Sequence, residues 1–282
     1  NSDTYFNLGK SYFETGKIIQ AREAFNRTIR IEPQHGPAYY HLGLINEDIM
    51  EIEKAVLAYT LAREYSPEIE DVHYRLGMLL YRTGELKQAM EPLRQFIINQ
   101  PDSLHVLEAI GEIFISENRF SEAIDTYNRI LLTQPENLQS NLALAESYYQ
   151  LKEFEHAINV YQNILFFNDE NYEVMIRMGS IYNELGEYTE AENILNQAIN
   201  CTTPTMKMYY QLALTYGNQG KYMSTVLAFQ EALKLKSDDV EIKYQLGIAY
   251  MELYNFNVAA QYFEEYVVLN NQDEIAFFFL GK

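Results

Sequence analysis

Apolar positions along this chain fall at helical spacing in stripes about 13 residues long, separated by short polar or glycine-bearing breaks. Over residues 70–103 the pattern predicts a helix, a tight turn at Thr83-Gly84, a second helix, and a stop at Pro101. Shifting the frame by 34 residues returns the same skeleton. Leu76-Gly77 becomes Leu42-Gly43 and Leu8-Gly9 upstream, and Ile110-Gly111 and Leu144-Ala145 downstream. Ala89 likewise becomes Ala55 and Ala21, or Ala123 and Ala157. An internal period of this length means a stack of small helical units rather than one compact core.

With position 1 at Ser2, the repeats span 2–35, 36–69, 70–103, 104–137, 138–171, 172–205, 206–239 and 240–273, with a partial ninth at 274–282 and no insertion anywhere. Position 8 is always small: Gly9, Gly43, Gly77, Gly111, Ala145, Gly179, Ala213 and Gly247. Glycine inside a helix costs about 1 kcal/mol against alanine, so its retention implies a close helix–helix approach that a side chain would block. Position 20 is alanine in every full repeat except at Thr225, and alanine there is expected to be the small residue facing position 8. Position 24 is aromatic or leucine, from Phe25 and Tyr59 to Phe229 and Phe263. Gly16, Gly84, Gly186 and Gly220, or a polar residue such as Asn118, end the first helix at position 15. Pro33, Pro67, Pro101 and Pro135 end the second. Pro92 is different. It falls inside the second helix of the third repeat, removes the bond to the carbonyl of Gln88, and predicts a kink.

These residues resemble the tetratricopeptide repeat (TPR) motif: Leu at 7, Gly or Ala at 8, Tyr at 11, Ala at 20, an aromatic at 24 and Pro at 32. Tyr12, Tyr148, Tyr182, Tyr216 and Tyr250 fill position 11, while Asn46 and Leu80 depart from it. The resemblance covers the whole chain. It implies an all-α fold, an α-solenoid of antiparallel helix pairs wound as a right-handed superhelix, forming a single array over 1–282. It also implies that the first helix (A) of each repeat lines a concave groove and the second (B) faces out. Positions 5, 9 and 12 of helix A would then face a partner, which selects Tyr40, Leu44, Tyr74, Met78, Tyr81, Glu108, Glu112, Glu146, Tyr149, Tyr210 and Tyr244. The Lys/Asn/Arg clamp and the asparagine ladder of some TPR proteins are missing, since Lys10 and Arg75 stand isolated. What is left is a groove apolar and aromatic at its ends and acidic in the middle.

Charge narrows the partner. Forty acids against 21 bases give −19, spread over both halves, which argues against nucleic acid and anionic membrane and for a protein or peptide with apolar anchors and basic residues. No apolar run reaches the length of a membrane span, so direct membrane insertion is not expected. Cys201 is the single cysteine; it suits a reducing compartment without demanding one, so the cytoplasm stands ahead of a periplasmic or membrane-anchored location. The five histidines show no metal-ligand spacing, and no nucleophile–base pair or phosphate loop is present. The expectation is therefore a non-catalytic interaction scaffold or adaptor without a cofactor. The alternatives are a substrate-recruiting arm of an enzyme whose catalytic domain lies elsewhere, or a structural arm of a larger machine. Two further surfaces stand out. Position 29 on the outer side is apolar at Ile98, Leu132 and Phe166, with Val268 later. Phe277, Phe278 and Phe279 predict that the array continues past Lys282, or associates end to end through this face.

Overall fold

A computed structural model describes residues 1–269. The chain divides into two compact units, Asn1–Ser140 and Asn141–Lys282. Among the described residues there are sixteen helices and no strand. The first unit holds α1 (Ser2–Glu14), α2 (Ile18–Ile31), α3 (Gly36–Asp48), α4 (Ile52–Tyr65), α5 (Glu70–Arg82), α6 (Leu86–Asn99), α7 (Leu104–Ser116) and α8 (Phe120–Thr133). The division falls in α9 (Leu138–Gln150). The second unit continues through α10 (Phe154–Phe167), α11 (Tyr172–Leu185), α12 (Tyr188–Cys201), α13 (Met206–Asn218), α14 (Tyr222–Leu235), α15 (Val240–Glu252) and α16 (Phe256–Leu269). Each odd-numbered helix begins at position 1 of a repeat, as the 34-residue phase requires. Within each unit consecutive helices pack as pairs, α1 on α2 and α13 on α14, and each even helix packs on the next odd one, α2 on α3 and α14 on α15. This is an α-solenoid.

The close approach at position 8 is present, but its partner is not the alanine at position 20. It is the side chain at position 24. A methyl group on Gly9 would lie 2.7 Å from the ring of Phe25, one on Gly111 2.7 Å from Tyr127, and one on Gly247 2.6 Å from Phe263. Leu93 and Leu195 occupy the same place over Gly77 and Gly179. Phe25, Tyr59, Leu93, Leu195 and Phe263 are wholly buried as a result. The alanines at position 20 are also wholly buried, but they serve to let helix B approach while the larger residue one turn on fills the space.

Position 15 is left-handed in every repeat described. Gly16, Gly84, Gly186 and Gly220 have φ of 71–83°, and Met50, Asn118, Lys152 and Tyr254 hold φ of 57–60° in the same register. The bend therefore belongs to the fold and not to glycine, and the four other side chains take a conformation that L-residues disfavour. The residue immediately after it donates to the carbonyl of position 11, as Lys17 does to Tyr12 (2.8 Å) and Glu153 to Tyr148 (2.9 Å). Helix α6 runs as one element through Pro92, which is buried, so the missing bond to Gln88 does not end it. Phe277, Phe278 and Phe279 lie outside the described residues.

Two measurements follow from this backbone. Gly43→Ala drives a methyl into the ring of Tyr59, whose hydroxyl is tied to Glu47 at 2.7 Å and cannot retreat freely. Overpacking of about 1–3 kcal/mol outweighs the propensity gain of about 1 kcal/mol, so urea melts should show net destabilisation; a rise of about 1 kcal/mol would mean the ring moves at no cost. Conversely, Lys152→Gly relieves the left-handed strain at an exposed site and should raise stability by about 0.5–1 kcal/mol in the same assay.

Candidate partner-binding face

The odd-numbered helices carry the predicted site residues, and the first result of their geometry is that many are already bonded. In the first unit, Tyr40 on α3 donates to Asp71 on α5 at 2.7 Å. Arg75, isolated along the sequence, is held by Asp71 at 2.7 Å and reaches Glu47 at 3.4 Å. Glu47 also accepts from Tyr59 and from Arg82, each at 2.7 Å. Burial alone would raise the Glu47 carboxyl, but the bonds from Tyr59, Arg82 and Arg75 prevail and hold it below its ordinary value. Burial and the Asp71 carboxylate push the Tyr40 hydroxyl up to about 12. This half-buried network ties the second repeat to the third.

Next to it the surface turns apolar. Leu44, Phe13 and Ile18 line a cavity of about 410 Å³ whose rim carries Glu47, Asp48 and Arg75. Asp48 is exposed and makes no ion pair among the described residues. Further along, Tyr74 packs on Phe96 with ring centroids 5.2 Å apart, and Met78 is half-buried beside it in sequence register. Tyr81 donates a short hydrogen bond to Glu112. Burial first, then Glu112 and Glu108, push the Tyr81 hydroxyl up to about 12. The only basic side chain in ion-pair contact with this acidic pair among the described residues is His105, 3.7 Å from Glu108 and exposed.

In the second unit the acid predicted for this face, Glu146, is matched. Glu146 on α9 accepts from Arg177 on α11 at 2.9 Å and from Gln150 at 2.8 Å. Tyr149 donates to Glu184 at 2.6 Å. Both flank a cavity of about 210 Å³, lined also by Ile176, Ser180, Lys207 and Gln211. The position-5 tyrosines face inward as much as outward. Tyr210 stands edge-on to Phe229 at 5.6 Å, and Tyr244 packs on Phe263 and Tyr266 at 5.8 and 4.9 Å. They cap the plug at position 24 while leaving one edge of the ring half-exposed.

Three residues of this face, Ile18, Asp48 and His41, are not marked out by the repeat pattern, while Phe13 stands at position 12 with the groove residues. Phe13 and Ile18 complete the apolar shelf around Leu44, and Asp48 sits at its rim. His41 is the third. Its ring stacks on Phe25 at 4.9 Å and 2°, with Phe6, Phe13 and Tyr40 at 5.7, 5.6 and 5.3 Å. The signal for all three is the 34-residue register combined with aromatic residues two repeats deep, which single-helix patterns do not display. At the outer ends of the B helices, Ile98, Leu132, Phe166 and Val268 are 70%, 84%, 83% and 81% exposed. The loops do not cover them.

A stack of helix pairs presenting such a face belongs to a class of fold that serves protein–protein interaction. The family assignment agrees. The tetratricopeptide repeat family matches residues 51–103, 74–141 and 210–274, more than half of the chain, and a second tetratricopeptide repeat profile matches 2–35. This chain belongs to the tetratricopeptide repeat family. Residues 116–198 also match the family described as anaphase-promoting complex, cyclosome, subunit 3. No curated protein matches the chain. Among solved structures, one titled Naa15/Naa10 bound to HypK-THB is similar with a TM-score of 0.66 at 14% identity, over 98% of this chain and 43% of that one. A crystal structure of MamA protein gives 0.54 at 23% identity over 58% and 89%, and MamA 41-end from Desulfovibrio magneticus RS-1 gives 0.56 at 16% over 60% and 96%. At these identities the likeness is one of fold. Tetratricopeptide repeat proteins bind protein partners and are generally non-catalytic scaffolds.

His41 gives this face a pH dependence. Burial, then the charge of Lys10, lower its imidazole from 6.5 to about 4. The unfolded chain therefore binds a proton between pH 6.5 and 4 that the folded chain refuses, and the stability His41 confers is lost as pH falls through that window. His41→Phe keeps the aromatic stack and cannot protonate. Its stability relative to the parent should increase steadily from pH 6.5 to 4 in parallel melts, whereas a constant difference would show that His41 titrates normally.

Proposed function

We propose that this protein is a non-catalytic interaction scaffold, a single array in which the A-helix face of the first unit holds an extended or helical segment of a partner protein. The observation that carries this reading is the state of the acids. Glu47 and Glu146 are answered by guanidinium groups at position 6 of the following repeat, Arg75 and Arg177. Glu108 and Glu112 have no arginine or lysine ion partner among the described residues, and position 6 is Ala109 in their own repeat and Ala143 in the next. Two carboxylates beside the Tyr81 hydroxyl repel each other and gain nothing for folding, but they form a ready seat for a lysine or arginine. The shelf of Phe13, Ile18 and Leu44 receives an apolar anchor of the same segment, with Asp48 at its rim for a second base. Tyr74 and Met78 supply half-buried apolar surface in the register between them.

The experiment is capture of partners from a lysate by the wild-type chain, identified by mass spectrometry, followed by titration of the tightest partner against Glu108→Lys and Glu112→Lys together. The expected loss is at least tenfold in affinity, steepest at low salt. Unchanged affinity would remove the acidic pair from the site.

A further inference from the structure

At the outer ends of the B helices the chain repeats a second pattern that owes nothing to the A-helix face. Position 29 is apolar and exposed at Ile98, Leu132 and Phe166, and four residues later stands a carboxylate: Asp102, Glu136 and Glu170. All three acids are exposed and make no ion pair among the described residues. The pattern is strongest in the second unit. There Phe166, 83% exposed, meets Phe167, 52% exposed, edge-on with centroids 5.3 Å apart. The turn that follows adds Asp169 and, at the start of α11, Glu173, both exposed. In the first unit Arg129 donates to the Pro101 carbonyl at 2.7 Å and sets a cation beside the Asp102 turn. The residue in the register of Arg129 on α12 is Gln197, so the Phe166 edge keeps its charge unanswered from that side.

We propose that the Phe166–Phe167 edge, with the acids of the turn behind it, docks a segment of a partner protein in which apolar residues alternate with arginine or lysine. Two large rings held in water favour any occupant that covers them, and the face of a phenyl ring also attracts a guanidinium or ammonium group. The carboxylates decide among occupants. A second copy of this chain brings the same acids and a net charge of −19, and an anionic bilayer or a nucleic acid is repelled likewise. A basic amphipathic segment is the occupant that both the rings and the acids accept.

The test must separate this edge from the A-helix face, which also attracts basic residues. The protein carrying Glu108→Lys and Glu112→Lys is titrated with a fluorescein-labelled helical peptide of leucine and arginine, and with its counterpart in which glutamate replaces arginine. The expected result is binding of the arginine peptide alone, weakened at least tenfold by adding Phe166→Ser and severalfold by adding Glu170→Gln. Phe166 supports no buried contact that its loss would collapse, and circular dichroism of the variant checks this. Affinity indifferent to Phe166→Ser, or no binding by the charge-reversed protein, overturns the proposal. Binding by the wild type with none by the charge-reversed protein would overturn it and leave the A-helix reading standing. Sedimentation equilibrium supplies the remaining outcome: self-association abolished by Phe166→Ser would make a second copy the occupant, and the proposal would fall.

Discussion

One side chain per repeat holds this molecule together. The residue at position 24 lies across the facing helix at position 8, and in the six repeats where position 8 is glycine a methyl group there would overlap it. Fully burying a phenylalanine or leucine contributes roughly 1.5–3 kcal/mol, and the contact recurs with each repeat. Among the described residues no helix exceeds 14 residues, a length that is marginal in isolation. The helices persist because each pair is locked by this plug and because each B helix packs against the next A helix. The tyrosines at position 5 lean on the plug from the other side, so the interaction that makes the fold also positions the rings that a partner would meet.

Electrostatics then differentiates repeats that packing makes alike. Where position 6 of the next repeat is arginine, as at Arg75 and Arg177, an acid of the preceding A helix is neutralised and two repeats are tied. Where position 6 is alanine, the acid is left with hydroxyls. Tyr81 to Glu112 shows what that substitution costs: a phenol shares its proton with a carboxylate but cannot cancel its charge. The same periodic frame thus produces cross-linked steps and open ones, and the difference rests on a few residues. Such half-exposed pairs add little to stability, roughly 0–1 kcal/mol each. Their effect is to decide which parts of the face are occupied by the protein itself.

The helical frame was legible in the sequence because the period is strict. The starts of α1, α3, α5 and every later A helix fall where Ser2, Gly36, Glu70 and their counterparts place them. The closeness of helices at position 8 was legible too, since glycine has no other reason to persist in a helix. Its partner was misassigned. Small residues at 8 and 20 suggest a small-on-small contact, yet the space that the alanine opens is filled by the larger residue one turn later. The left-handed bend at Met50, Lys152 and Tyr254 was hidden for the opposite reason: none of these residue types advertises a positive φ, and the neighbours impose it. Charge pairing was the least legible. Arg75 has no acid partner closer in sequence than Asp71, and its bond to Glu47 spans 28 residues, visible only once the repeats are stacked.

The unequal matching of acids and bases has a consequence for how the protein responds to its medium. Screening acts over a Debye length of about 8 Å at physiological ionic strength and shrinks further in brine. The apolar plug at position 24 is indifferent to it, and the self-repulsion of a −19 chain is relieved by it. Cohesion therefore holds or improves as electrolyte rises. An acidic seat at Glu108 and Glu112, if it draws a cation, loses its reach over the same range. Ionic strength separates the two properties: it leaves the architecture in place and sets how far from the surface a partner is first felt.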